Sequence, residues 1–230
     1  SYIQIGRAHV SQNQTSSSSA SVSSYRNTAS AGSQVYFIDA SVSGYEVLSH
    51  SLSEDSKVFV IENTSDAFIQ IDRALASLSD PASSVHIYSH GRDGAILLGG
   101  QWIDEAALSQ SSEILKSIGE SLTQGADILL YGCNTAASSL GESFIARMAR
   151  LASVDVAASS NMTGTGGDWT LEKGTGDIET TPTRPGEWLG NLDAGDPISG
   201  WGVLEGTANS ESITGFVTND RIYEIGRAHV

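Results

Sequence analysis

Short apolar runs recur along the middle of the chain, separated by stretches whose apolar positions fall three and four apart. The runs are VYFID at 35–39, KVFVIE at 57–62, SSVHIYSHG at 83–91, ADILLYGCN at 126–134 and VDVAAS at 154–159. They are apolar at successive positions, which marks strands covered on both faces. The intervening stretches have helical spacing. One surrounds Tyr45–Leu52. A second carries Phe68, Ile71, Leu75 and Leu78 behind a Ser65-Asp66 cap. A third spans 105–121 with Ala107, Leu108, Ile114, Leu115, Ile118 and Leu122. The last, over 137–152, puts Leu140, Phe144, Met148 and Leu151 on one face. AILLGGQWID at 95–104 reads as a hairpin turning at Gly99-Gly100, and DWTLEKGTGDIE at 168–179 as a late one. Strands alternating with helices imply right-handed crossovers. The expected fold is α/β: a mostly parallel sheet with helices on both faces, flavodoxin-like in its layering, with a late β-hairpin.

The two ends of the chain break this pattern. Residues 11–34 are dominated by Ser, with Gln, Asn and Thr. They hold too little apolar surface to offset ordering entropy, so 1–34 is expected to be a flexible tail. The α/β domain is expected over 35–181 and a linker from 182 to 224. Within that linker GTANSESIT is followed by GFVTNDRIY, a period of nine that aligns Gly206 with Gly215 and Glu211 with Asp220. This resembles the nonapeptide repeats of calcium-binding β-rolls, which implies calcium at Glu211 and Asp220. Residues 5–10 and 225–230 both read IGRAHV. Six identical residues are the mark of sequencing-adapter read-through rather than of a structural repeat. Under that expectation 1–10 and 225–230 carry no function, His9 and His229 are set aside, and the reading frame is cut short.

Charge and cysteine content narrow the function. Of 230 residues, 12 are Lys or Arg and 27 Asp or Glu, a net charge of -15. Binding to nucleic acid rests on cations that neutralise phosphates, and docking on an anionic membrane needs the same. Both are disfavoured. Acidity of this size suits a protein that meets divalent cations, or simple solubility. No apolar stretch is long enough to span a bilayer, and no signal peptide is visible. The single cysteine excludes an intramolecular disulfide. A monomer is expected, with no cofactor in the α/β domain.

In open α/β sheets reactive residues gather at the carboxyl ends of strands. His90 and Cys133 each follow an apolar run and each adjoin a glycine. A neighbouring imidazole can take a thiol's proton and later return one to a leaving amine. Gly91 and the Gly132-Cys133 turn are suited to offer backbone N–H groups to an oxyanion, because glycine lets main chain approach closely. The other reading of Cys133 is a small core residue. His86 lies inside its strand and reads as structural.

A strand ending in His-Gly followed by an apolar block ending in Gly-Cys, here VHIYSHG and ILLYGC, resembles the cysteine peptidase clan of caspases, gingipains, legumain and clostripain. More closely, VYFID, VHIYSHGRDGAILLGG, ADILLYGCNTA, VDVAAS and TGGDWTLEKGTGDIE resemble the bacterial domain of unknown function 4347. The resemblance covers 35–179 and implies a caspase-like fold, with His90 as base and Cys133 as nucleophile. That family usually lies near the N-terminus of very large secreted or surface proteins.

Arg92, Asp93, Asn134 and Asp168 are the candidates for a substrate pocket. Asp168 equally reads as a turn cap and Trp169 as core. Three functions follow. One is a cysteine peptidase-like domain acting on a polypeptide or on its own parent chain. Another is a non-catalytic module of a large calcium-dependent adhesin. The third, a nucleotide-binding domain, is weakest, since the Gly-rich stretch 164–168 is not set between strand and helix. The first two expect an extracellular or cell-surface location, reached by one-step export without a cleaved N-terminal signal.

Overall fold

The computed structural model describes residues 32–53, 56–64 and 66–193. The repeat with Glu211 and Asp220, both IGRAHV copies and nearly all of the Ser-rich tail lie outside the described residues.

Five parallel strands form the centre: β1 (Gln34–Asp39), β2 (Lys57–Ile61), β3 (Ala82–Tyr88), β7 (Leu122–Leu130) and β8 (Asp155–Ala158). The six-stranded sheet runs β2-β1-β3-β7-β8-β9, and β9 (Lys173–Gly174) pairs antiparallel with β8. The parallel order is that of a doubly wound sheet, as the alternating pattern implies. A smaller antiparallel sheet holds β4 (Gly91–Arg92), β5 (Ala95–Leu98) and β6 (Gln101–Ile103). The β5–β6 hairpin turns at Gly99 and Gly100, with φ of 58° and 76°, the left-handed pair that a two-residue hairpin loop requires.

The helices are α1 (Tyr45–His50), α2 (Ala67–Ala76), α3 (Glu105–Gln110), α4 (Ser112–Glu120) and α5 (Ser139–Ala152). Asp66 caps α2 by accepting from the N–H groups of Phe68 and Ile69 at 2.9 and 3.2 Å. The stretch 105–121 is two helices divided at Ser111, not one. Helix α5 buries Phe144, Ile145, Met148 and Ala152, while Leu140 is 57% exposed. The face expected from Leu140 is therefore rotated. Leu140 sits in the first turn of α5, and its side chain packs over Gly94.

Side-chain alternation along the strands gives the sheet two unlike faces. Val35, Phe37, Val85, Ile87, Ile128, Leu130 and Val156 point to one, which α2, α3, α4 and α5 cover with aliphatic side chains. Tyr36, Ile38, Tyr88, Leu129 and Tyr131 point to the other, where they meet Leu48 of α1, Trp188 and Leu192. Helices thus lie on both sides, but the second side carries only the short α1. The rest of its cover is irregular chain, from 183 to 193 and around Met162, Trp169 and Leu171.

Two expectations are corrected here. The stretch 168–179 forms no hairpin of its own. Lys173 and Gly174 pair with Ala158 and Ala157 of β8 instead, and Asp168 bridges Thr163. A free sheet edge at β8 is the better partner, because that strand is already fixed on its other side by β7. Packing also continues past 181: Trp188 and Leu192 are buried where a linker was expected.

Candidate functional site

Strands β3 and β7 are parallel neighbours, in register from Ser84 opposite Asp127 to Ile87 opposite Leu130. The loops leaving their carboxyl ends therefore start side by side. One carries His90-Gly91 and the other Gly132-Cys133. Glycine is needed in both for the loops to touch. A Cβ on Gly91 would lie 2.6 Å from the Gly132 carbonyl carbon, and one on Gly132 would lie 2.9 Å from the Gly91 Cα.

This contact aligns two backbone donors. The N–H groups of Gly91 and Cys133 donate to one acceptor, the carbonyl oxygen of Leu192, at 3.2 and 3.4 Å. The N–H that accompanies Gly91's belongs to Cys133 itself. Gly132 contributes the room, and its carbonyl accepts from the Thr135 hydroxyl at 3.0 Å.

The Cys133 side chain is fully buried. Its Sγ accepts from the Thr163 N–H at 3.1 Å and donates to the Thr163 carbonyl at 3.5 Å. Burial pushes the thiol's pKa up, the Thr163 N–H works against that rise, and the charge of Asp193 adds to it. The Leu192 N–H also opposes the rise, and burial outweighs both donors.

His90 is half-buried. Its Nε2 lies 3.3 Å from the Ser41 carbonyl. A carbonyl only accepts, so Nε2 carries the hydrogen and Nδ1 of the neutral ring presents a lone pair. Nδ1 is buried and, among the described residues, has no hydrogen-bond partner. The ring is thus oriented through Nε2, while Nδ1 makes no hydrogen bond to Cys133 Sγ, whose two bonds both go to Thr163. Ser41 is fixed by Asp39, whose Oδ1 accepts from the Ser41 N–H at 2.9 Å and from its hydroxyl, and whose Oδ2 accepts from the Gly99 N–H at 2.7 Å. Asp39 is fully buried at the end of β1. The sequence reading missed the role of Asp39 and Ser41. The available signal was an apolar strand ending in a carboxylate, VYFID.

The chain from Thr183 to Asp193 forms a strap over this crevice. Thr183 is pinned by three tyrosines. The Tyr88 hydroxyl donates to its carbonyl at 2.8 Å, its N–H donates to Tyr131 Oη at 2.8 Å, and its hydroxyl lies 3.2 Å from Tyr36 Oη. Trp188 is anchored by a 2.9 Å bond from Nε1 to the Ser43 carbonyl. Beyond it the strap runs beside 163–165 like an added strand. The Thr165 N–H donates to the Gly190 carbonyl at 2.9 Å, and the Leu192 N–H donates to the Thr163 carbonyl at 3.0 Å.

The four pocket candidates are dispersed. Arg92 lies over the Trp102 ring, 4.1 Å from its centroid. Asp93 anchors the start of α5, accepting from the N–H groups of Ser138 and Gly141 at 3.0 and 3.1 Å. Asn134 occupies a left-handed turn with φ of 57°, and its N–H donates to the Asn161 carbonyl at 2.7 Å. Asp168 accepts from the Thr170 N–H at 2.7 Å, and that bond lowers its pKa. Asp168 borders a cavity of about 390 Å³ that also touches Trp169, Arg184, Trp188 and Leu189. A larger groove of about 770 Å³ lies beside Gly125, Arg150 and Asp155 and is lined by neither His nor Cys. His86 is buried between Ser84 Oγ at 3.1 Å and Tyr131 Oη at 3.0 Å, stacked on Tyr36. No group of three or more His, Cys, Asp or Glu among the described residues could hold a metal. No helix among them is long and apolar enough to cross a membrane.

The family model described as Domain of unknown function (DUF4347) matches residues 35–188. The chain belongs to that family. The DUF4347 match stops just before Leu192, so the end of the strap lies beyond it. No curated protein matches the chain. A solved structure of a small-chain dehydrogenase is similar over 53% of this chain and 78% of its own, at 15% identity and a TM-score of 0.29.

Proposed function

We propose that this DUF4347 domain is a cysteine peptidase-like acyl-transfer module, with Cys133 as nucleophile and His90 as base. One observation carries the reading. Two backbone N–H groups, one of them that of Cys133 itself, converge on a single peptide carbonyl, and the loop that supplies the other also carries His90, whose Nδ1 has no hydrogen-bond partner among the described residues. Donors aimed at the oxygen of a tetrahedral intermediate supply much of the barrier lowering in acyl transfer. The Ser41 carbonyl would hold the His90 ring in the tautomer that a base requires. The substrate in this reading is a polypeptide, the parent chain included, and the parent is a large secreted or cell-surface protein. Calcium would belong to the repeat after 205.

The test is labelling of Cys133 in the full chain by a peptidyl chloromethyl ketone. Expected is modification of Cys133 that slows on the order of a hundredfold or more in His90→Ala, the range of general base catalysis. An unchanged rate in His90→Ala overturns the pair.

A second reading, a non-catalytic module of a large adhesin, is favoured by the full burial of Cys133 and its raised pKa. It predicts a thiol inert to every alkylating agent until the domain unfolds.

A further inference from the structure

We infer that the Leu192–Asp193 peptide bond is this domain's own substrate, cut once and in cis. The inference rests on the reading of Cys133 and His90 as nucleophile and base, and it names the bond they act on.

The strap is seated as a substrate strand would be. An extended peptide bound by strand addition is held through alternate backbone groups, and its side chains enter pockets. Here Gly190 and Leu192 bond to Thr165 and Thr163, while Asn191 bridges Gly164 in antiparallel sense. Asp193 then bridges Gly91 in parallel sense, so the chain lies between the two loops. Glycine permits this approach, since a Cβ on Gly164 would lie 2.7 Å from the Asn191 Cα. The Leu192 side chain is fully buried in the same apolar cluster as Cys133. Its carbonyl, and no other carbonyl of the strap, receives both converging N–H groups. The Leu192 N–H and the Cys133 Sγ also share one acceptor, the Thr163 carbonyl. The sulfur therefore lies against the main chain of the residue whose carbonyl is polarised.

The step balances as a hydrolysis. Sγ gives its proton to His90 Nδ1 and attacks the Leu192 carbonyl carbon. The oxyanion is held by the N–H groups of Gly91 and Cys133. The C–N bond breaks as His90 returns the proton to the Asp193 nitrogen, which becomes a new amino terminus. Leu192 is left as a thioester on Cys133. Water adds to that thioester with His90 taking its proton, and collapse gives the Leu192 carboxylate and the free thiol. A tethered substrate is already positioned, so the reaction is first order in chain.

The experiment is intact-mass and amino-terminal analysis of the full chain over time at several protein concentrations. Wild type is expected to split, giving a fragment that begins at Asp193, at a rate independent of concentration. Cys133→Ala and His90→Ala should be at least about a hundredfold slower. A cut elsewhere, a cut that persists in Cys133→Ala, or a rate rising with concentration overturns the proposal. So does a chain that stays whole. In that last case Leu192→Asp, which drives the strap off by burying a charge, separates the two claims; Trp188→Ala replaces it should it fail to fold. His90-dependent labelling of Cys133 in the opened variant by a leucyl chloromethyl ketone leaves the peptidase reading standing and removes only self-cleavage. Absence of labelling, or labelling indifferent to His90, removes both.

Discussion

The two faces of the central sheet solve the same burial problem by different chemistry. The face under α2, α3, α4 and α5 is aliphatic, with Leu, Ile, Val and Phe packed against regular helices whose backbone bonds are internal. The face under the strap is aromatic and polar: Tyr36, Tyr88, Tyr131, Trp169 and Trp188 surround His86 and Cys133. Its cover is irregular chain held by side-chain hydrogen bonds to Thr183 and Trp188. Aliphatic packing is lost only when helices leave the sheet. A cover held by a few exchangeable bonds can open while the sheet persists. The first face stores stability and the second presents a lid. The buried Cys133 thiol lies on the second.

The largest expected effect lies on the aliphatic face. Phe144 is fully buried in α5 against that core. Phe144→Ala should lower the unfolding free energy by about 3–5 kcal/mol, through lost transfer energy plus the cavity left behind. Equilibrium urea denaturation measures it. A loss below about 1 kcal/mol would show that this face repacks and is not the rigid one.

The next is linked to pH and lies on the aromatic face. Burial lowers the His86 pKa from 6.5 to about 4. The unfolded chain therefore takes its proton below about pH 6.5, and the folded chain only near pH 4. Stability from this group is fully present above 6.5, falls as pH drops toward 4 and is level below. The loss across that window is up to about 3 kcal/mol at 1.36 kcal/mol per unit. Urea midpoints at pH 7, 5.5 and 4.5 follow it, and His86→Phe should flatten that slope. A slope unchanged in the variant would assign it to other groups.

Tyr131→Phe sharpens the contrast further. It removes the acceptor of the Thr183 N–H and the partner of His86 Nδ1. Leaving such buried groups unpaired costs about 1–3 kcal/mol. Because the strap can lift, much of this cost should appear as faster hydrogen exchange over 183–193 rather than as global unfolding. Uniform loss of protection across β3 and β7 would contradict a lid that opens alone.

The parallel sheet was legible because strands buried on both sides leave continuous apolar runs and helices leave a period. The meeting of the His90 and Cys133 loops was legible for a related reason: parallel neighbours end at the same edge, and Gly91 and Gly132 announce close approach. The lid was not. Residues 182–193 read as linker, since Trp188 and Leu192 follow no period and their burial depends on a crevice formed by distant chain. Asp39 reads as a strand end, and only its bonds to Ser41 and Gly99 give it a part in orienting His90. Polar candidates next to the proposed pair in sequence were equally ambiguous: Asp93 follows His90 closely, yet its carboxylate is spent on the first turn of α5.

Arg92 brings the smallest effect and the sharpest test of where specificity resides. Its guanidinium rests on the Trp102 ring at 4.1 Å, on the small β4–β6 sheet. An exposed cation–π contact contributes about 0.5–1 kcal/mol. Arg92→Ala should therefore shift the urea midpoint only slightly and leave the rate of Cys133 labelling unchanged. The substitution moves a full charge within two residues of His90, so a substrate pocket that used it would respond strongly: labelling by acidic and neutral peptidyl ketones would diverge from wild type. Equal rates with both probes assign Arg92 to the small sheet. In the proposed cleavage, selection of the residue before the scissile bond would then fall to the apolar cluster in which Leu192 is buried, on the aromatic face and under the strap.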